Sequence, residues 1–335
     1  MSQIDHLFIV GAGFSHYAGL PLTNHFTEEL LNVGELKKGQ SQRIVKFLRG
    51  FVYETFDHSR RAKARFWPQL EDLFTCIDLS ANTGHYLGPK YSPKVLRTVR
   101  RALIVRTIRM LHQAYKKGKK EGGDDWKKLE SFFASVPPDR CAFLSMNWDT
   151  VIEEGLERTQ GISVFDYGCD AEHAEFKNSH IQPVSDFPDQ PVQVLKPHGS
   201  INWLYCDACR QVFWFPAGGS TDQIAGHLFG ASDEKIVAEF TREKYQPPKR
   251  RNPYNCLRCD SPALGTRFAT FSYRKALEFP MHESSWRSAE RLLREAKTWI
   301  FIGYSRPAAD YEFKHLLKRV QLSRNRPELV LQSPA

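Results

Sequence analysis

The chain has 335 residues, of which 41% are apolar and 25% charged. That balance excludes collagen-like, coiled-coil and wholly disordered chains, and the length suits about two domains. The 47 basic residues outnumber the 38 acidic ones for a net charge of +9, which permits an anionic ligand without specifying one. No apolar run approaches the roughly 18 residues of a membrane span. The opening residues carry Asp5 and His6 and no basic leader, so no export signal is expected. The expected location is cytoplasmic, with no membrane partner.

Ile4 to Val10 is short, apolar and β-rich, and predicts a buried strand. Gly11-Ala12-Gly13-Phe14-Ser15 follows as a turn, then Gly19-Leu20-Pro21 and a helix over Thr23 to Leu31. Strand, glycine turn, helix is the arrangement in which backbone N–H groups can face a phosphate. Taken alone, Gly-x-Gly describes a plain turn equally well. Residues 40 to 136 read as a helical insertion. Ile44, Phe47, Leu48 and Phe51 make one stripe at helical spacing. Leu96, Val99 and Leu103, continued in part by Arg106, make a second, and Trp126, Leu129, Phe132 and Phe133 a third. Lys116, Lys117, Lys119 and Lys120 read as a solvated helix end. Lys249, Arg250 and Arg251 read as a loop beside Pro247 and Pro248, so direct nucleic-acid binding is not expected.

A second buried strand, Cys141 to Met146, ends in Asn147-Trp148-Asp149-Thr150 before a helix over Val151 to Glu157. A third, Val192 to Leu195, ends in Lys196-Pro197-His198-Gly199-Ser200. Residues 216 to 252, rich in Gly, Ser, Pro and charge, predict a surface excursion. A late strand, Thr298 to Ile302, ends in Gly303-Tyr304-Ser305, with a helix over Asp310 to Val320 and a last strand over Glu328 to Gln332. Polar and glycine residues thus follow four separate buried strands. In an open parallel sheet those carboxyl ends share one edge, where ligands bind. Each residue also has a plainer role. Asn147, Asp149, Ser15 and Asp310 can cap helices, and His198 can satisfy a turn. Their joint placement favours a site.

Of seven cysteines, four form the pairs Cys206–Cys209 and Cys256–Cys259. Two such knuckles can hold one tetrahedral zinc through four thiolates. The gap between the pairs exceeds the usual ribbon gap of about 15–20 residues, and an insertion at the ribbon tip costs little. Four protein ligands leave no open position, so this zinc would be structural.

Together these residues resemble the sirtuin family. Gly11-Ala12-Gly13-Phe14-Ser15 with Gly19-Leu20-Pro21 matches its first fingerprint. Asn147-Trp148-Asp149 matches its Gln-Asn-x-Asp element, with Met146 in place of the glutamine. His198-Gly199, the cysteine pairs and Gly303-Tyr304-Ser305 follow in family order. The sequence departs at Leu22-Thr23-Asn24, where deacylases carry Asp-Phe-Arg, and at Ala269 to Tyr273, which lacks their peptide-pairing Phe-Gly-Glu. Ile302 to Asp310 looks like the divergent bacterial branch that hydrolyses NAD in antiphage defence.

The resemblance implies an α/β fold with a Rossmann-like parallel sheet from residues 1–35, 137–203 and 263–335. A helical insertion would occupy 36–136 and a zinc-ribbon-like subdomain 204–262. It places Asn147 and Asp149 beside the nicotinamide ribose and makes His198 a general base. It assigns Gly11, Ala12, Gly13, Ser15 and Pro21, with Gly303, Tyr304 and Ser305, to the rest of NAD. It further implies a homo-oligomer acting beside a second defence component, such as an ATPase or an argonaute-like protein. An NAD-dependent protein deacylase and a non-catalytic NAD or ADP-ribose sensing module are the alternatives.

Overall fold

The computed structural model describes residues 4–34, 36, 39–56, 67–178, 180–185, 188, 190–245, 254–262, 264–266, 280–307, 310–323 and 327–332. Lys249 to Arg251 and Ala269 to Tyr273, on which two sequence readings rest, lie outside them.

The predicted first strand is β1 (His6–Val10). The residues after it do more than turn: α1 (Ala12–His16) starts at once. The helix predicted over Thr23 to Leu31 divides into a 3₁₀ turn, Thr23–His25, and α2 (Phe26–Leu30). The insertion is helical as predicted, with α3 (Gln40–Thr55), α4 (Leu70–Thr83), α5 (Pro93–Glu121) and α6 (Asp124–Ser135). Next come β2 (Cys141–Ser145), α7 (Val151–Gln160), β3 (Phe165–Asp166), β4 (Ala171–Lys177), β5 (His180–Pro183) and β6 (Val192–Leu195). Then follow β7 (Trp203–Cys206), β8 (Val212–Trp214), α8 (Thr221–Leu228), α9 (Ala231–Thr241) and β9 (Leu264–Gly265). The chain closes with α10 (Pro280–Glu295), β10 (Thr298–Ile302), α11 (Tyr311–Gln321) and β11 (Glu328–Gln332).

Six strands form one parallel sheet in the order β11-β10-β1-β2-β6-β3. Alternate residues of β1 feed two cores. Phe8 and Val10 join the core that contains the helical insertion, and Leu7 and Ile9 join the core of α10 and α11. A sheet covered on both faces needs apolar side chains on both, which is why its strands read as unbroken apolar runs. β10, β1, β2 and β6 are adjacent, so the ends that carry the candidate residues share one edge.

Helix α5 is the axis of the insertion and packs against α2, α3, α4 and α8. Ser92 caps it by accepting from the Val95 amide at 3.4 Å, with Pro93 in the first turn. Arg106 belongs to no apolar stripe. It is buried and donates to the Leu30 and Glu29 carbonyls at 3.0 and 3.2 Å, which completes the C-terminal end of α2. Burial pulls its pKa down to about 10.

The surface excursion predicted for 216 to 252 is corrected over its described residues, 216–245. Its α8 and α9 bury Ile224, Ala225, Val237 and Ala238. Buried Asp233 accepts from Thr98 Oγ1 at 2.8 Å and Arg101 Nε at 3.0 Å, and buried Glu234 accepts from Arg43 at 3.1 Å. Charge in this stretch docks α9 onto α3 and α5. A second sheet, β5-β4-β8-β7-β9, takes strands from 171–183 as well as from the cysteine-bearing stretch. Among the described residues no helix is long and apolar enough to cross a membrane.

Helix α5 meets the loop after α1 at Gly118, where an added Cβ would lie 2.2 Å from the Ala18 carbonyl oxygen. Gly118→Ala is expected to lower stability by about 1–3 kcal/mol in urea unfolding. Wild-type stability would contradict this packing.

Candidate active site and four-cysteine centre

A cleft of about 620 Å³, counted to its open mouth, lies at the shared strand edge. Gly11, Ala12 and Ser15 enter it after β1, and Asn147 and Asp149 after β2. Tyr304, Ser305 and Asp310 enter after β10, and Leu20, Pro21, Phe26 and Leu111 supply apolar wall. Gly13, His198 and Gly303 are not on its walls, although all three are adjacent to residues that are.

The loops after β1 and β10 touch backbone to backbone. Gly303 has φ +60°, and a Cβ there would lie 2.2 Å from the Phe14 amide nitrogen. The Gly13 amide donates to the Gly303 carbonyl at 2.9 Å. That amide is therefore engaged in holding the two loops together, not turned toward a phosphate.

Ser15 is buried between two candidate residues. Its hydroxyl accepts from Asn147 Nδ2 at 2.9 Å and hydrogen-bonds the Asp149 carboxylate. Asp149 also accepts from the Val151 amide at 3.1 Å, so it anchors the start of α7 while lining the cleft. Burial raises the Asp149 pKa, against the opposing pull of Lys196, Ser15 and the Val151 amide. The helix-anchoring role and the site role of this residue coexist.

Behind these side chains stands a residue to which the sequence reading gave no role. Lys196 has no exposed surface. Its Nζ donates to Glu153 Oε1 at 2.9 Å, to Ser200 Oγ at 2.7 Å and to the Asp149 carbonyl. Tyr167 donates to the same Glu153 oxygen at 3.2 Å. The lysine thus ties the loop after β2 to the loop after β6. A lysine directly after the buried strand β6, with a glutamate in the first turn of α7 after the buried strand β2, was the available signal.

His198 is 3% exposed. Its Nδ1 lies 3.2 Å from the Met146 carbonyl oxygen, which can only accept, so Nδ1 carries a proton. Its Nε2 faces Asp310 Oδ1 at 3.9 Å. The other Asp310 oxygen accepts from the Tyr304 hydroxyl at 2.9 Å. Burial and the Asp310 charge push the Tyr304 pKa well up, which keeps that hydroxyl a donor. Asn202 lies outside the cleft, donating to the Phe215 carbonyl at 2.7 Å.

The four paired cysteines converge. Their sulfurs all lie within 4.8 Å of one another. Cys206–Cys259 and Cys209–Cys256 are each 3.6 Å apart. A disulfide would need about 2.05 Å, whereas thiolates around one zinc lie about 3.8 Å apart. The two knuckles share one backbone pattern. In each, the first cysteine accepts at its carbonyl from the residue four positions on, Arg210 or Asp260. Both of those residues take a left-handed φ, 65° and 56°. The amides of Cys209 and Ala208 outweigh burial and hold the Cys206 thiol below its ordinary pKa. Burial and the neighbouring sulfurs push Cys256 up to about 12. Four thiolates this close need a cation, and the cluster is consistent with a structural zinc site. It clamps β7, which pairs with β8 and β9.

No protein-family model and no curated protein matches this chain. Among solved structures, a Sir2 homologue mutant in complex with ADP ribose is similar at 12% identity over 97% of this chain and 79% of that one, with a TM-score of 0.39. A Sir2 homologue mutant in complex with 2′-O-acetyl ADP ribose is similar at 14% identity over 99% and 82%, with a TM-score of 0.38. Sir2 bound to an acetylated peptide is similar at 13% identity over 98% and 81%, with a TM-score of 0.33. At such scores the site's chemistry rests on this chain's own residues.

Lys196→Met is expected to cost about 3–5 kcal/mol in chemical unfolding, because it leaves Glu153 charged and unpaired. Adding Glu153→Gln should recover part of that loss, and strict additivity would contradict the pairing. The purified protein is expected to carry one zinc per chain by elemental analysis. Cys209→Ser should abolish that zinc and lower the melting temperature. A metal-free wild type of equal stability would refute the structural role.

Proposed function

We propose that the chain is an NAD+ hydrolase that cleaves the nicotinamide–ribose bond to give nicotinamide and ADP-ribose. The observation that carries this reading is the single cleft in which Ser15, Asn147 and Asp149 stand opposite Tyr304, Ser305 and Asp310, with His198 3.9 Å from Asp310. Polar groups from the ends of β1, β2 and β10 suit a long, polar, anionic substrate lying along the sheet edge. The net charge of +9 agrees in sign with such a substrate.

Breaking the bond from ribose C1′ to the pyridinium nitrogen sends the bonding pair to nicotinamide and leaves an oxocarbenium-like carbon. Asn147, fixed by Ser15, orients the ribose hydroxyls or the attacking water. Asp149 holds the nicotinamide end. Tyr304 and Ser305 receive the adenosine half, with Gly303 setting their loop, and Ala12 and Ser15 lie toward the diphosphate beside Pro21. In this reading the enzyme acts in the cytoplasm as a defence effector, a homo-oligomer held to slow, measurable turnover until a second component triggers it. Unrestrained NAD loss would kill the cell that makes it.

The four-cysteine centre favours a second reading, an NAD-dependent protein deacylase. One experiment separates the two. Purified protein is assayed for nicotinamide and ADP-ribose release from NAD, without peptide, beside Asn147→Ala and His198→Ala. Wild-type release, reduced at least about 100-fold in both variants, is the expected result. Release that requires an acyl-lysine peptide would establish the deacylase instead.

A further inference from the structure

We propose that Asp310 is a catalytic residue that acts with His198 on the attacking water. This rests on NAD hydrolysis as the reaction of the cleft.

Asp310 occupies the N-cap position of α11, where an aspartate normally accepts from backbone amides of the first turn. Here its side chain makes no such bond. The carboxylate turns into the cleft instead, on a residue only 4% exposed. Tyr304 holds one oxygen at 2.9 Å and thereby aims the other at His198 Nε2, 3.9 Å away. Nδ1 of that ring carries a proton toward the Met146 carbonyl, so Nε2 is the basic nitrogen. The edge of the ring pair with Trp286, at 5.9 Å, closes another side of the imidazole.

A carboxylate oxygen and a basic nitrogen that face each other at 3.9 Å repel unless a proton or a hydroxyl stands between them. A water making two hydrogen bonds of about 2.8 Å reaches both. Held there, its oxygen attacks ribose C1′ as the bond to nicotinamide breaks and the electron pair leaves with the ring. One water proton passes to His198 Nε2. Asp310 stabilises the resulting imidazolium until the proton is released to solvent. The sum is NAD+ and water giving ADP-ribose, nicotinamide and one proton. An aspartate placed to hold water beside the base suits hydrolysis better than transfer to an acyl-lysine, whose own oxygen would be the nucleophile.

The test uses the full chain with Asp310→Asn, which keeps the shape and removes the charge, and follows two readouts. The first is NAD cleavage. The variant is expected to lose about 100-fold or more in kcat, with KM for NAD within about threefold, a split that general loss of structure would not give. A kcat within threefold of wild type would overturn the proposal. The second readout is the His198 ring titration, followed by NMR with labelled histidine. In wild-type protein its midpoint should lie above the ordinary value of about 6.5 despite burial. In Asp310→Asn it should fall by about one unit or more. A wild-type midpoint below the ordinary value, or one unmoved by the substitution, would overturn the pairing. The titration decides even if the variant is unstable, since the wild type alone can fail it. It also separates the two levels of inference. A wild type that shows the raised midpoint but releases no nicotinamide without peptide would retain the Asp310–His198 pair and refute hydrolysis.

Discussion

The ammonium group of Lys196 sits where two loops of the cleft meet, with Glu153 as its counter-charge and no access to solvent. Burying two charges is costly unless they are paired and hydrogen-bonded to each other and to their surroundings. Here the lysine finds three acceptors and one glutamate oxygen receives a second donor from Tyr167, while the other glutamate oxygen, Oε2, is buried without a hydrogen-bond partner among the described residues. The arrangement fixes the Asp149 backbone, the start of α7 and the turn through Ser200 in one frame. Asn147 and His198 stand within two residues of those anchors. The cleft's polar geometry is therefore set from behind, by a network that does not itself line the cleft.

The opposite wall is set by close backbone contact. The loop after β1 and the loop after β10 approach so closely that neither Gly11 nor Gly303 has room for a Cβ. Interdigitated rings behind them, Phe14 against Phe132 and Phe133, fasten α1 to the helical insertion. Leu111 of α5 and Phe26 of α2 then reach the cleft as apolar wall. The insertion is thus part of the site's construction, and the four-cysteine centre braces a separate sheet beyond the main one.

What could be read from the residues follows from this division. Parallel strands buried on both faces appear as uninterrupted apolar runs, so β1, β2, β6 and β10 could be placed, and with them the edge where the candidate residues gather. The cysteine spacing carried its own geometry and the sulfurs converge. Strands such as β4, Ala171–Lys177, alternate weakly and expose part of both faces, and they left no clear period. Helix α9 was hidden because its buried Asp233 and Glu234 look like surface charge until Arg101 and Arg43 are brought to them. Asp310 looked like a helix cap for the same reason. Which way its carboxylate turns depends on Tyr304 and on His198, more than a hundred positions earlier in the chain.

The proposed dinucleotide site lies along one edge of the parallel sheet, framed by Lys196 and the Gly11–Gly303 contact. A crystal structure of the protein with ADP-ribose tests it most directly. The diphosphate is expected beside Ala12 and Ser15, the adenosine against Tyr304 and Ser305, and the distal ribose between Asn147 and Asp310. ADP-ribose bound elsewhere on the chain, with this cleft lacking the ligand, would contradict it.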